Sequence, residues 1–491
     1  MKKNIAILLF IAFTLSLFAD ENRYINFFIG DRAAGLGGAY TAIADGPEGV
    51  FYNPAGLAFS SSKYFSLSVN AIQYKMLYYH DVFKKTDGTP FDYVRHSFSF
   101  IPNFFGFVQK AKKFTFALTV SSPDSEFYDQ RDNAEIKLDL FGEKRPARLN
   151  VNYNFSDMTY DIGPSLAFLL HKKVSFGFNV FFRYRDKKLI SQTTYLHESE
   201  FMKYFQTGSF YKNEKIFGMK PQLGIQIMPT SKLSIGYSIS TPFDILNVSS
   251  YQSTDDSWFK QSTSSPTLIN IIGTKWVTIE QMTDSDGNII TTSSYTLQDN
   301  KYITYNLAEN GLFRPLFINQ SLGIAYFINK SALVTFDANL YIPIQMSKNN
   351  NLILVQWNKK TNSYDTFTLD QNQSEIEKIN IVGNFAAGLE YYITPNFPLR
   401  IGAYTNLTNT PEIKDANNDN IEDNGKTNMK DYIHLFGGSM SIGFATSDIT
   451  VNLGAAVSGG YGKAQILGDS TVIQNITAVT VNLFLSGGYQ F

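Results

Sequence analysis

The chain has 491 residues, and its 42 Lys and Arg nearly balance its 43 Asp and Glu, for a net charge of −1. This balance argues against a nucleic-acid-binding surface, which needs a basic excess. The absence of cysteine excludes disulfides and thiolate metal sites. Aromatic residues are 15% of the chain, with 42 Phe and 29 Tyr, as expected of a lipid-facing surface with aromatic girdles.

Residues 1–19 have the pattern of a cleavable secretory signal peptide. Lys2 and Lys3 precede an apolar run over residues 5–18, and Ala19 follows it. The run is too short for a spanning helix, which needs about 20 apolar residues. We therefore expect Sec-dependent export and cleavage after Ala19.

Residues 20–62 are rich in small residues and show no strand alternation. We expect them to form a compact N-terminal hatch inside a barrel, because clustered glycines let backbones turn sharply and approach closely. A flexible periplasmic tail is the alternative. A phosphate loop is disfavoured, since the glycine spacing is not G-x-G-x-x-G and no Walker lysine follows. The candidate hatch residues are Gly35, Gly37, Gly38, Tyr40, Asp45, Asn53, Pro54 and Ala55.

From residue 63 to the end, apolar side chains alternate with polar or small ones. In 174–180, for example, Val174, Phe176 and Phe178 alternate with Ser, Gly and Asn. Very short turns alternate with long polar connections, as periplasmic turns and outer loops do. The sequence therefore predicts an all-β transmembrane antiparallel β-barrel of about 14 strands over 63–491. Hairpins are also predicted in the outer loops, around Asp286-Gly287 and around 359–363. The predicted strands are 63–79, 91–109, 114–123, 156–170, 174–190, 215–228, 232–247, 312–327, 332–345, 376–393, 398–408, 430–445, 448–461 and 471–491.

Strand parity places several charged side chains on the inward face. Arg can bind a ligand carboxylate through two parallel hydrogen bonds. Salt-bridge networks in the lumen, or a wet channel lining, are the alternative. The candidates are Arg95, Arg183, Arg185, Lys220 and Arg400, with Asp161, Asp337 and Glu390 of opposite sign.

Prolines inside predicted strands mark candidate positions for a lateral opening. Pro donates no hydrogen bond to a strand ladder, so pairing lapses there. In a membrane such lapses should be bulges whose freed groups face water or the hatch. The candidates are Pro102, Pro123 and Gly163 with Pro164, so any opening is expected among the second to fourth strands, with Pro102 or Pro164 at its edge. A bulge without an opening is the alternative.

Neither a metal site nor an enzyme is strongly indicated. The loop 415–423 resembles a calcium loop in part, but Asn420 replaces its turn glycine and Lys426 its closing Glu. A solvated acidic loop is preferred. The five histidines form no H-E-x-x-H pattern, and no Gly-x-Ser-x-Gly elbow is present. We expect no catalysis and no cofactor. The weak calcium candidates are Asp415, Asn417, Asp419 and Asp423.

The N-terminal pattern carries a family resemblance. The stretches Gly35-Leu-Gly37, Ala39-Tyr40, 42–45 and 53–55 resemble the hatch of the FadL-type (OMPP1/FadL/TodX) outer-membrane long-chain fatty acid transporters. The resemblance implies a 14-stranded barrel with an N-terminal plug. It also implies passive uptake of long-chain fatty acids or other hydrophobic small molecules, which leave sideways through a strand irregularity into outer-membrane lipid.

Two further resemblances concern partners. Residues 32–40 also resemble a diverged branch of the fold that includes PorV-like barrels. That branch implies a scaffold in protein secretion or surface attachment, with secreted protein partners. A structural or adhesive barrel is a third reading. The end of the chain, Tyr489-Gln-Phe491, resembles the signal read by the barrel assembly machinery. No nucleic-acid partner is expected.

Overall fold

The computed structural model describes residues 23–60, 63–140, 143–199, 202–261, 278–283, 289–296, 303–307, 316–344, 351–358, 363–370, 379–412, 431–464 and 473–491. The predicted signal peptide, the candidate calcium loop and the predicted turn at Asp286-Gly287 lie outside these ranges. Within them, no α-helix is long and apolar enough to cross a membrane. The same ranges contain no cluster of His, Asp or Glu that could hold a metal ion.

The described strands belong to one sheet. Their bounds are β1 Lys63–Lys84, β2 Pro90–Ala111, β3 Phe114–Leu140, β4 Glu143–His171, β5 Val174–Glu198, β6 Met202–Thr230, β7 Leu233–Ser240, β8 Phe243–Gln261, β9 Thr278–Thr283, β10 Ile289–Thr296, β11 Ile303–Leu307, β12 Leu316–Phe327, β13 Ala332–Ile344, β14 Asn351–Asn358, β15 Ser363–Asp370, β16 Val382–Thr394, β17 Phe397–Asn406, β18 Tyr432–Ala445, β19 Ile449–Ala464 and β20 Gln474–Gln490.

Fifteen of these segments form the fourteen strands of the wall of a closed antiparallel barrel. The wall consists of β1–β6, the interrupted strand β7/β8, β12, β13 and β16–β20. The wall strand β7/β8 is broken at Thr241-Pro242, and both of its parts pair with β6. Pairing of β1 with β20, from Tyr64↔Gln490 to Tyr79↔Ile476, closes the barrel. The predicted fold class is confirmed, and each predicted strand corresponds to one wall strand.

The outer hairpins are taller than predicted. β3 continues to Leu140 and β4 begins at Glu143, so residues predicted as a long loop, 124–155, largely form a hairpin. β5 and β6 extend similarly, to Glu198 and from Met202. The physical reason is that strands beyond the membrane have no lipid-facing side, so their hydrophobic alternation fades. The strands flanking the other two predicted turns pair as β9–β10 and β14–β15.

The wall has an apolar outer face and a polar inner face. On β6, Leu223 and Ile225 are 44% and 40% exposed, while the flanking Gln222 and Gln226 are buried. Period-2 alternation sends the exposed apolar residues outward, where a bilayer would cover them. Polar side chains on the other face are therefore directed into the barrel.

Residues 23–60, called here the N-terminal segment, lie inside the barrel. The segment contains helix α1 (Asp31–Gly35), helix α2 (Gly49–Tyr52) and a 3₁₀ helix (Pro54–Phe59). It is hydrogen-bonded to inward side chains on widely separated wall strands, which are Asn103 of β2, Gln222 of β6, Asp337 of β13 and Ser439 of β18. Contacts on all sides mean that the wall encloses it.

Candidate functional site in the barrel interior

Inward-facing glycines line the wall where the N-terminal segment touches it. A Cβ added at Gly177 would overlap the backbone of Pro54 and Ala55, and one at Gly402 would overlap the backbone of Gly37. Glycine is needed there because the two backbones are in direct contact. Sequence reasoning missed this ring, although glycines recurring at inward strand positions are its signal. The other members are Gly106, Gly224, Gly236, Gly323 and Gly388.

The candidate hatch glycines lie on the segment side of this contact. Gly37 has a φ of +65°, and a Cβ added to it would lie 3.0 Å from the backbone nitrogen of Ala403. Gly38 has a φ of +88°. Positive φ and contact with the wall both disfavour a side chain at Gly37. At Gly35, a Cβ would overlap the Ser441 hydroxyl, and the Gly35 carbonyl accepts a hydrogen bond from Ser439.

Tyr40 and its neighbour are held by the wall carboxylate Asp337. The backbone N–H groups of Tyr40 and Thr41 donate to Asp337 Oδ2 at 2.9 and 2.8 Å. The Tyr40 ring is fully buried, and its hydroxyl donates to Glu48 at 3.2 Å. Asp337 therefore binds backbone N–H groups of the segment.

Asn53, Pro54 and Ala55 form a capped helix start. The Asn53 Oδ1 accepts from the Ala55 N–H at 3.1 Å, and Pro54 occupies the first helical position. The Asn53 Nδ2 donates to the carbonyls of Thr41 at 2.9 Å and Ile225 at 3.2 Å. The buried Asn53 side chain thus holds the helix start at Ala55, the segment backbone at Thr41 and the wall at Ile225 together.

An ion network ties α1 to the wall. Arg32 Nε and Nη2 donate to the two oxygens of Glu390 at 2.9 and 3.0 Å, and its Nη1 donates to Asp45 at 2.8 Å. Arg400 Nε donates to Glu390 at 2.6 Å. Glu390 and Arg400 were candidate lumen charges, whereas Arg32 was not singled out. The signal for Arg32 was a basic side chain in a stretch that is otherwise rich in small residues.

Two further carboxyls of the segment, those of Asp31 and Glu48, are buried. Asp31 accepts a hydrogen bond from Ser68 at 2.6 Å. Burial raises the pKa of Asp31 to about 7, and hydrogen bonds from Ser486 and Ser68 limit the rise. Burial also raises the pKa of Glu48. Neither residue was predicted as functional.

A cavity lies between the segment and the wall, on the side of the long connections. The cavity has a volume of about 130 Å³. This is room for one small molecule or for part of a longer chain. Its apolar lining is largely aromatic: Tyr24, Phe27, Phe28, Phe51, Tyr52, Ile216, Phe317 and Tyr341.

Three of the candidate lumen cations line this cavity. Arg183 binds both oxygens of Asp161 at 2.8 Å, and Arg185 Nε binds Asp157 at 2.6 Å. Lys220 is less closely engaged, with its Nζ 3.9 Å from Asp161 and 4.1 Å from the centre of the Phe51 ring. For Arg183 and Arg185, the alternative interpretation, salt-bridge networks in the lumen, therefore fits better than binding of a ligand carboxylate.

Arg95 and Arg400 lie away from the cavity lining. Arg95 is packed among aromatic rings, 4.0 Å from the centre of the Tyr153 ring and 5.3 Å from that of Tyr79. Cation–π contacts of this kind stabilise a buried guanidinium. Arg400 belongs to the ion network with Glu390. The five candidate lumen cations thus lie in three places: the cavity lining, the aromatic cluster around Arg95, and the ion network with Glu390.

The ladder between β2 and β3 is interrupted. Pairing extends only from Ala111↔Phe114 to Phe104↔Ser121. Further out, the two edges meet again where Gln130 of β3 bonds the backbone of Val94 and His96. Between these points β2 and β3 are not paired with each other, over residues 97–103 and 122–129, called here the β2–β3 seam. Register shifts lie within it, at Pro102 relative to β1 and at Pro123 relative to β4.

Pro164 does not form the expected bulge. It pairs with Leu118, and no register shift accompanies Gly163 and Pro164 on either side of β4. Pairing with β5 lapses locally, from Ile162↔Phe182 to Ser165↔Asn179, because proline has no N–H to donate. Strand β4 therefore loses pairing with β5 at this point but contains no extra residue, so it forms no bulge. Pro123, predicted at the end of the third strand, lies inside β3, which continues to Leu140.

These features define a class: an integral membrane β-barrel whose interior holds an N-terminal segment beside an aromatic cavity. The family described as outer membrane protein transport protein (OMPP1/FadL/TodX) matches residues 30–289, and the chain belongs to this family. The protein is accordingly an integral outer-membrane transport protein. The resemblance of the N-terminal pattern to the FadL-type family is confirmed. No curated protein matches the sequence.

Solved structures share the fold at low sequence identity. A Pseudomonas aeruginosa FadL homologue is 11% identical, with 97% of this chain and all of that chain covered and a TM-score of 0.52. The Ralstonia pickettii toluene transporter TbuX is 13% identical, with 95% and 99% covered and a TM-score of 0.51. The P. putida toluene transporter TodX is 12% identical, with 94% and 97% covered and a TM-score of 0.51.

Proposed function

We propose that the protein passively transports hydrophobic small molecules across the outer membrane, and that long-chain fatty acids are among its cargo. The aromatic cavity is the observation that carries this proposal. Removing apolar surface from water is worth about 25 cal/mol per Å², so such a cavity can capture an acyl chain or a ring without any covalent chemistry. The two toluene transporters of the same fold support a hydrophobic cargo.

Lys220 is the residue proposed to receive a fatty-acid carboxylate. Arg183 and Arg185 are engaged by carboxylates at 2.8 and 2.6 Å, whereas Lys220 is 3.9 Å from Asp161. A carboxylate at Lys220 would leave the acyl chain among aromatic rings, beginning with Phe51. Asp124 and Asp244 also line the cavity, which supports binding at one cation over attraction to the lining as a whole.

The N-terminal segment is proposed to be the hatch, over residues 20–62. It lies between the cavity and the short-turn end of the barrel, so cargo must displace it or leave sideways. The β2–β3 seam is the proposed sideways exit. It borders the cavity at Pro123 and Asp124, and its outer side carries Phe98 and Phe100, 60% and 65% exposed, which are suited to contact lipid.

Uptake by purified protein in proteoliposomes tests the proposal without an energy source. Labelled oleate and labelled toluene should both enter faster than in protein-free vesicles. Lys220→Gln should weaken oleate capture about tenfold or more, the scale of one charge-assisted hydrogen bond, and should leave toluene uptake unchanged. Lys463→Gln, which removes only an exposed ion pair, is the matched control.

The outcomes separate the candidate functions. Failure of both compounds to enter would overturn the transport proposal. Equal uptake of oleate by wild type and Lys220→Gln would overturn only the assignment of Lys220. Co-purification of a secreted protein together with a sealed barrel would favour the PorV-like scaffold. Export is tested separately, since sequencing of the mature protein should begin at Asp20 and a start at Met1 would contradict cleavage.

A further inference from the structure

A second interruption of the wall lies between β16 and β17. Their ladder ends at Ala386↔Tyr404. Beyond this pair, β16 continues to pair with β13 as far as Val382, and β17 continues to pair with β18 as far as Asn406. The two strands therefore separate from each other while each keeps its other neighbour.

Side chains replace the missing ladder bonds. The Phe385 N–H donates to the Thr405 hydroxyl at 2.9 Å, and the Leu407 N–H donates to Asn384 Oδ1 at 2.8 Å. Main-chain bonding resumes at Asn380, whose N–H donates to the Asn409 carbonyl at 2.7 Å. Residues 381–385 and 405–408 thus border a bounded stretch, called here the β16–β17 seam.

The cavity reaches this seam from inside. Phe385 and Ala386 both line the cavity, together with Phe28 and Gly38 of the N-terminal segment. Phe385 is also 50% exposed on the outer face, so the wall residue that borders the cavity is itself in contact with the lipid side. The small side chain of Ala386 fills little of the space behind it.

The seam lies within the apolar band of the outer face. Ile381, Ile401 and Phe436 around it are 65%, 48% and 61% exposed. Unpaired backbone groups at membrane depth are costly unless they are bonded or line a cavity. A ladder interruption that is bridged by rotatable side chains is easier to open than a continuous ladder, since Thr405 and Asn384 can release their bonds by changing rotamer.

Polar atoms at the seam are also left without partners. The Asn384 Nδ2 and the Asn406 Oδ1 are buried and have no hydrogen-bond partner in the described part of the chain. Both residues point inward and are at most 5% exposed. Such groups are expected to find a bonding partner, and the polar end of an amphipathic molecule passing the seam would supply one.

We propose that the β16–β17 seam is a second lateral opening, through which hydrophobic molecules, including those with one small polar group, pass between the cavity and the bilayer. The inference rests on the proposed transport function. It differs from the exit at the β2–β3 seam in position and in closure, because no proline marks it and side-chain hydrogen bonds bridge it.

Cysteine cross-links test this opening, since the chain has no cysteine of its own. The double variant Phe385→Cys/Thr405→Cys places thiols on the two edges just beyond the last ladder pair, where a disulfide would lock the seam. The matched control is Ala387→Cys/Ala403→Cys, a pair on the same outer face inside the intact ladder. Each oxidised protein is compared with its own reduced form, which cancels effects of the substitutions.

Uptake of labelled oleate and toluene into proteoliposomes is the readout. We expect oxidation to lower uptake by about twofold or more in the seam variant, with full recovery on reduction, and to leave the control pair unchanged. Equal uptake before and after verified cross-linking of the seam would overturn the second opening while transport by wild type stands. Absence of uptake by wild type would instead overturn the transport proposal. Loss of uptake in the control pair as well would assign the effect to general stiffening of the barrel and refute the opening.

Discussion

Replacing Glu390 by Gln should detach the N-terminal segment from the wall. Glu390 is buried and neutralises both Arg32 and Arg400. The variant keeps the shape of the side chain but leaves two guanidinium groups facing each other without their shared carboxylate. Breaking a buried ion pair from one side costs about 3–5 kcal/mol. Arg32 keeps Asp45 and is 22% exposed, so we place the cost near the lower end, at about 3 kcal/mol.

A cost of that size changes the balance between packed and displaced segment about 10²-fold, because each 1.4 kcal/mol is a factor of ten. Hydrogen exchange over residues 23–60 should rise accordingly, and cells should take up more of a small hydrophilic antibiotic. Heat-modifiable migration should show an intact barrel, since the wall ladders are untouched. The control is Glu412→Gln, which removes an exposed ion pair with Lys463 and should change neither measurement. Normal barrel levels with unchanged exchange and permeability would refute the role assigned to the network.

Three further predictions concern the same segment. Gly37→Val should raise antibiotic permeability, because its positive φ and its contact with Ala403 both exclude a side chain; unaltered permeability would mean that the segment does not seal the barrel there. Asn53→Ala should destabilise packing of the segment by about 2–3 kcal/mol through loss of its buried hydrogen bonds. The measurement is proteolysis of residues 23–60, which should become faster. Asn53→Asp is expected to restore only the bond from the Ala55 N–H. Because burial raises the pKa of Asp31 to about 7, packing should be strongest below about pH 4 and weaken as pH rises to about 7. Hydrogen exchange should show this trend, and Asp31→Asn should reduce it to the part contributed by Glu48, whose pKa burial also raises.

The sequence predicts the wall well because lipid imposes its pattern directly. Alternation such as that of 174–180 follows from one face in hydrocarbon and one in the interior, so strand number and topology could be derived residue by residue. The tall hairpin around Leu140 could not, since both of its faces leave the membrane and the pattern ends there.

Contacts of the site depend on partners far apart in the chain. Arg32 and Glu390 are separated by 358 positions. No sequence pattern near either residue predicts that the two are in contact. The prolines predicted one seam, at Pro102 and Pro123, through the loss of a donor. They could not reveal the β16–β17 seam, where the side chains of Asn384 and Thr405 compete with the ladder for backbone N–H groups.

The positions of the two seams have a mechanical consequence. Around the wall, eight strands lie between them on one side (β3 to β16) and six on the other (β17 through β20 to β2), so the seams are nearly diametrically opposed. A closed barrel wall with two opposed, easily deformed seams distorts most readily to an elliptical cross-section. The same distortion widens or narrows both seams together. Lateral pressure in the surrounding bilayer acts on that shape. The lipid composition of the membrane would then set how readily the wall parts, independently of any ligand.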